Sequence, residues 1–164
     1  MRTIIHDLNE EELKDLEFRD DDFIVDSRWC LKSCVGCFSC WTKHPKYCVM
    51  NDDYSNIVDN ISKSKELVII SKSRYGCYSY SVKRVLERCI GFVLPYFEMR
   101  EGMIHHKSRF NDNLKLCTYF YGTQDENDKK CVHNLVKANA INLNVNKIFI
   151  KYVDNLKEIK ECLH

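Results

Sequence analysis

The sequence predicts an α/β fold: a five-stranded, doubly wound parallel sheet with helices on both faces, in three α/β/α layers. Three observations predict it. Five short apolar runs recur along the chain, and helical periodicities separate them. The central run, Leu67-Val68-Ile69-Ile70, is apolar without alternation, as expected of a strand covered on both faces. No repeat, low-complexity tract or Pro/Gly-rich linker interrupts the order, so residues 1–164 read as a single domain.

The first strand is expected at residues 3–6, followed by a helix at 9–16 that Asn9 and Glu12 open with a reciprocal cap. A second strand follows at 23–26. A cysteine-rich loop at 30–48 leads to a helix at 53–62, with Tyr54, Ile57, Val58 and Ile61 on one face. After the central strand at 67–70, a helix starts near Ser79 and carries Val82, Val85, Leu86 and Ile90. Residues 91–113 form an excursion that is too apolar for a free loop, with Phe92, Leu94, Tyr96, Phe97 and Met99. It is expected to act as a lid or as a contact between copies. Its His105-His106 pair would point apart in a strand, so the two are read as exposed rather than as paired ligands. A strand at 114–121, a helix at 126–140, a strand at 147–153 and a helix at 156–163 complete the chain. Alternation of this kind implies parallel strands joined by right-handed crossovers.

Composition narrows the function. A net charge of +1 leaves no field to recruit nucleic acid or an anionic membrane. The N-terminal MRTIIHDLNEEEL lacks a signal-peptide apolar core, and no run is long enough to span a bilayer, so a cytoplasmic protein is expected. Ten cysteines are many for such a compartment. Cys77, Cys89, Cys117, Cys131 and Cys162 are scattered and read as small hydrophobes, whereas five others fall between Cys30 and Cys48.

In a doubly wound sheet, ligands bind beyond the carboxyl ends of the strands. That expectation places 7–9, 27–48, 71–78 and 121–124 on one rim. Within it, Cys34-x2-Cys37-x2-Cys40-x7-Cys48 offers four thiolates. Three readings stay open: a [4Fe–4S] cluster, for which tight cysteine spacing is suited, a structural zinc, or metal-free thiols that take part in redox chemistry.

Three segments together resemble one family. CVGCFSCWTKHPKYCVMNDDY (34–54) is similar to the C-x-G-C-x-x-C…C…DD segment of the NADPH-dependent FMN reductases and iron–sulfur flavoproteins. SKSRYGCYSYSVKRVLERC (71–89) is similar to that family's S-x-x-x-Y-x-x-x-S-x-x-x-K-x-x-x-D-R segment, with Glu87 in place of the Asp. YFYGTQDE (119–126) occupies the place of its fourth-strand loop. The resemblance implies a flavodoxin-like fold. It also implies an isoalloxazine ring lying against Arg74, Tyr75, Gly76, Cys77, Tyr78 and Ser79 on one side and Tyr121, Gly122 and Thr123 on the other. Tyr75 and Tyr78 would then flank the ring, or else pack on the rim against Trp41 and Tyr47. Lys83 and Arg88 are read as solvated, or as partners of Glu87.

One segment departs from the family. Where a Gly/Ser-rich loop holds the FMN phosphate, this chain reads HDLNEEEL, which has no glycine and no cation. A phosphate is drawn to a bare helix N-terminus, and three carboxylates repel it. Lys72 and Arg74, or Arg28 and Lys32, could supply the charge instead. The expected function is hydride or electron transfer through FMN, with NAD(P)H as co-substrate and an unidentified acceptor. The alternative is a flavin-free relative that holds an iron–sulfur cluster or serves as a structural or interaction protein.

Overall fold

In the computed structural model, which describes residues 1–29, 32–110, 113–122 and 125–163, five parallel strands form the central sheet. They are β1 (Arg2–His6), β2 (Phe23–Asp26), β3 (Glu66–Lys72), β6 (Lys115–Tyr121) and β7 (Lys147–Val153), in the spatial order β2-β1-β3-β6-β7. The order reverses between β1 and β3, which is the switch point that creates a crevice at the strand carboxyl ends. Registers such as Ile5 opposite Ile69 and Ile69 opposite Thr118 hold the three central strands level.

The unbroken apolar run of β3 is explained by its two covers. Leu67 and Ile69 join Ile5, Val25, Leu116 and Phe120 under α3 (Ile57–Lys63), α4 (Tyr80–Glu87) and α5 (Glu126–Asn142). Val68 and Ile70 face the other way, with Ile4, Tyr119 and Val153, under α1 (Glu10–Leu13) and α6 (Lys157–Leu163). Alternate residues thus serve different cores, as strand geometry requires. A buried fork locks the second layer. Arg2 Nε and Nη2 donate to the Asp22 carboxylate at 3.0 and 2.6 Å, and Nη1 donates to the Leu163 carbonyl at 2.5 Å.

The expected elements are present with shifted ends. The first helix stops at Leu13 rather than at residue 16, though Asn9 and Glu12 do form the reciprocal cap. The second predicted helix starts only at Ile57, because residues 52–56 turn inward: the Asp26 N–H donates to Tyr54 Oη at 3.2 Å. A short helix, α2 (Ser39–Thr42), lies inside the cysteine loop. The excursion departs most from expectation. It contains a 3-10 helix (Arg88–Phe92) continuing from α4, then an antiparallel hairpin of β4 (Val93–Arg100) and β5 (Met103–Ser108). His105 and His106 lie on β5, half-buried rather than exposed. His105 Nδ1 is 3.0 Å from Asn142 Oδ1, and His106 Nδ1 is 2.8 Å from the Leu94 carbonyl. Arg100 anchors the hairpin to the end of α5 through the Ile141 carbonyl at 2.6 Å.

Candidate functional site

The β3–α4 connection builds the first candidate site at the carboxyl edge. Arg74 and Cys77 exchange backbone hydrogen bonds at 3.0 Å in both directions, closing a tight turn over Tyr75 and Gly76. Both central residues have positive φ, 51° for Tyr75 and 67° for Gly76. That geometry is easy for glycine and uncommon for tyrosine. Gly76 also has no room for a side chain, since a Cβ there would stand 2.5 Å from the Cys131 Cβ on α5. The turn therefore leans on α5 and holds Tyr75 outward, 98% exposed. An open cleft of about 780 Å³ lies beside it, lined by Arg74, Tyr75, Cys77, Ser79, Tyr80 and Lys83. Ser79 caps α4, and its N–H donates to Ser71 Oγ at 2.9 Å. No ion pair among the described residues engages Lys72, Arg74 or Lys83.

Other predicted rim residues are placed differently. Tyr78 touches the cleft, but its ring is buried at 3% exposure and stacks on Phe120 at 5.2 Å. Burial pushes its phenol up to about 12, so it behaves as a core residue rather than as a second flanking face. Neither tyrosine packs against Trp41, which stacks with Phe38 at 4.8 Å and donates to the Ile90 carbonyl at 2.9 Å. Tyr121 donates its hydroxyl to Asp7 at 3.0 Å, and burial together with the Asp7 charge raises its phenol well above the ordinary value. Gly122 has φ 92° and lies against the Lys72 stem. Thr123 lies outside the described residues, as does Gln124.

The β1–α1 turn, where a phosphate would sit, is occupied by the chain's own groups. Asn9 Oδ1 accepts from the N–H groups of Glu11 and Glu12 at 3.0 and 2.9 Å, and Glu12 Oε2 accepts from Asn9 N at 2.7 Å. Asp7 closes the turn, accepting from Lys72 N at 3.1 Å through both oxygens. The donors that hold a phosphate are spent, and four carboxylates stand around the position. FMN with its phosphate in this turn does not fit. Of the four compensating cations, Arg28 is committed to Asp26 at 3.0 and 2.6 Å and Lys32 to the Asn51 carbonyl at 3.0 Å. Lys72 and Arg74 remain.

The cysteines form a second site, and it is not on the rim. Cys34, Cys37, Cys40 and Cys48 line one cavity of about 120 Å³, walled by Arg88 and Ile90 at the far end of α4. Arg109 fastens the loop there, donating to the Gly91 carbonyl at 2.9 Å and the Cys40 carbonyl at 3.4 Å. Cys34 and Ile90 also line an adjoining apolar cavity of about 500 Å³ with Leu67, Leu116 and Leu143, which belong to the amino-terminal half of the sheet and the end of α5. The expectation that residues 27–48 share the carboxyl rim is corrected. Ser27 stays there, its hydroxyl 2.9 Å from that of Ser81, while the cysteines follow α4 downward.

Arg88 was read as solvated, and the structure reverses this. Its side chain is 0% exposed and pairs with Asp52, which also accepts from Lys32 N at 3.1 Å. Arg88 Nη1 reaches the Lys32 carbonyl at 3.3 Å, but Nε and Nη2 have no partner. Burial works against the charge of Asp52, yet hydrogen bonds from Arg88 and Lys32 hold its carboxyl below the ordinary value. Burial also raises the Cys40 thiol and takes the neighbouring Cys89 to about 12. Among the described residues, no three His, Cys, Asp or Glu side chains converge as closely as a single metal ion requires.

No protein-family model and no curated protein matches this sequence. Solved structures do match its fold. An FMN-dependent NADH-azoreductase from Bacillus anthracis str. Ames Ancestor, in complex with FMN, superimposes with a TM-score of 0.53 at 13% identity, covering 99% of this chain and 97% of that one. The azoreductase AzrA superimposes with a TM-score of 0.52 at 6% identity, covering 99% and 90%. With strand order and layering, these likenesses define the class: a flavodoxin-like α/β protein.

Proposed function

We propose that the chain is a redox protein of the NAD(P)H-dependent FMN reductase type that holds a flavin by its ring at the β3–α4 cleft, not by a phosphate in the β1–α1 turn. The observation that carries this reading is Tyr75, fully exposed on a left-handed backbone at the edge of a cationic, aromatic cleft. A non-glycine residue in that conformation is costly and is concentrated at ligand sites, and an exposed aromatic face suits a planar ring. The likeness to azoreductases, one of them in complex with FMN, supports the same reading. A bound flavin would supply the hydride-accepting chemistry, and the chain would supply position and charge. Titrating the protein into FMN and riboflavin tests it. Quenching of flavin fluorescence, lost in Tyr75→Ala, is the expected result, and unchanged fluorescence with both flavins refutes it.

A second reading is favoured by a separate observation, the four cysteines lining one cavity beside a buried guanidinium. This donor set fits an iron–sulfur cluster, for which four cysteine thiolates are the usual ligands. It suits a single zinc less well, because tetrahedral ligation draws the sulfurs within about 2.3 Å of one ion and no such convergence exists among the described residues. Such a cluster would supply one-electron transfer. Anaerobic purification should give a brown protein with bound iron and sulfide, and a colourless, iron-free protein refutes this reading. The exposed Tyr96, Phe97, Met99 and Ile104 of the hairpin support a contact between two copies. A monomer by light scattering removes that proposal.

A further inference from the structure

We propose that Arg88 is the internal counter-cation of the four-cysteine site, donating N–H···S hydrogen bonds from Nε and Nη2 to a bound iron–sulfur cluster and raising its reduction potential. This rests on the cluster reading given above. The guanidinium is always charged and is expensive to bury unless it is both paired and hydrogen-bonded. Asp52 meets the charge, and Nη1 is spent on Asp52 and on the Lys32 carbonyl. Two further donors are buried without a partner. Buried donors in native proteins nearly always have partners, and an orphaned pair points to a group that completes the site.

Arg88 lines the cysteine cavity and faces the Cys48 thiol. The missing partner is therefore an electron-rich group lying among Cys34, Cys37, Cys40 and Cys48. A thiolate-ligated cluster carries net negative charge and presents sulfurs that accept weak hydrogen bonds. Both net charge and hydrogen bonds to sulfur set a cluster's potential. A buried cation that donates two such bonds favours the reduced, more negative form. The null role for Arg88 is a clamp that ties the loop to α4 through Asp52. That role accounts for Nη1 and leaves Nε and Nη2 unexplained.

The full chain is reconstituted anaerobically with ferrous iron and sulfide, and iron content, visible absorbance and midpoint potential are measured. Two variants are compared with the wild type: Arg88→Lys, and the double variant Arg88→Gln/Asp52→Asn, which removes both charges together so that no lone carboxylate is buried. The expected result is a full iron complement in the wild type and the double variant. At a fixed potential, the double variant's reduced-to-oxidised ratio falls at least tenfold, about 59 mV for one electron. Arg88→Lys keeps the charge and loses the fork, and its ratio falls about threefold. An iron-loaded double variant with an unshifted potential overturns the role of Arg88 and leaves the cluster reading standing. No iron uptake by the wild type overturns the cluster reading and this role with it. Should the double variant lose its fold by circular dichroism, the Arg88→Lys potential decides, and an unshifted value overturns the proposal.

Discussion

Comparing FMN with riboflavin isolates the phosphate, because the two flavins share one ring. A phosphate seated at a helix start gains two or three charge-assisted hydrogen bonds, each worth roughly 1.5–3 kcal/mol, and so favours FMN by about a hundredfold or more. Here the N–H groups of Asn9, Glu11 and Glu12 are already bonded at 2.7–3.0 Å, and Glu10, Glu11, Glu12 and Asp7 crowd the position. The remaining attraction comes from Lys72, Arg74 and Lys83, whose exposed charges add together about 1 kcal/mol at low salt. FMN is therefore expected to bind no more than about fivefold tighter than riboflavin. That margin should vanish near 0.5 M salt, where screening acts within a few ångströms. Isothermal titration of both flavins at low and high salt gives the ratio directly. An FMN preference above a hundredfold that survives salt would place the phosphate in a buried, donor-rich seat and refute the reasoning.

Other expectations concern the frame that holds these sites. Asp22→Asn breaks the buried fork with Arg2 and should cost about 3–5 kcal/mol, lowering the melting temperature by roughly 6–20 °C in calorimetry. Burial opposes the Asp22 charge, but hydrogen bonds from Arg2 and Arg19 hold its carboxyl below the ordinary value. Its contribution is thus complete above the unfolded value of about 3.9 and is lost as pH falls through the folded one, so the variant should show a flatter acid limb between about pH 5 and pH 2. A variant as acid-sensitive as wild type contradicts the pairing. Gly76→Ala meets both a left-handed backbone and the Cys131 Cβ, so urea titration should show a loss of about 2 kcal/mol or more. Tyr121→Phe removes one donor from the Asp7 carboxylate, with a loss of about 1–2 kcal/mol in the same assay, and an unchanged midpoint would mean Asp7 is not held by Tyr121.

How much was legible depended on whether the signal was local. Strands announce themselves by composition, and the run at Leu67 to Ile70 reports its two-sided burial directly because each neighbour in sequence faces a different core. Caps are local too: Asn9 with Glu12, and Ser79 before Val82, bind within three residues. The hairpin was hidden because its apolar side chains do not alternate cleanly. Tyr96 and Phe97 are neighbours and both are exposed, so neither strand period nor core burial marks them. The fate of Arg88 depended on Asp52, thirty-six positions away, and a cation at the end of an amphipathic helix ordinarily faces water. The course of the cysteine loop likewise depends on distant contacts, from Arg109 to Cys40 and from Trp41 to Ile90, that no spacing rule encodes.

These placements change how the two candidate sites bear on each other. Read from the sequence, both lay on one rim, so the spent phosphate turn weakened the case for the cysteines as well. In the structure, Ser79 opens α4 at the cleft, and Arg88 follows its last turn at the cysteine cavity. Nine residues of helix separate them, about 14 Å at 1.5 Å per residue. The carboxylates at Asp7 and Glu10–Leu13 are remote from Arg88 and cannot disfavour a negatively charged group there. The cation that matters to the cysteines is buried, local and already neutralised by Asp52. Loss of flavin binding in Tyr75→Ala should therefore leave the iron content of a reconstituted protein unchanged, and loss of iron in a cysteine variant should leave flavin quenching unchanged. If either substitution abolished both, α4 would be transmitting a shared structural change, and the two sites would have to be treated as one.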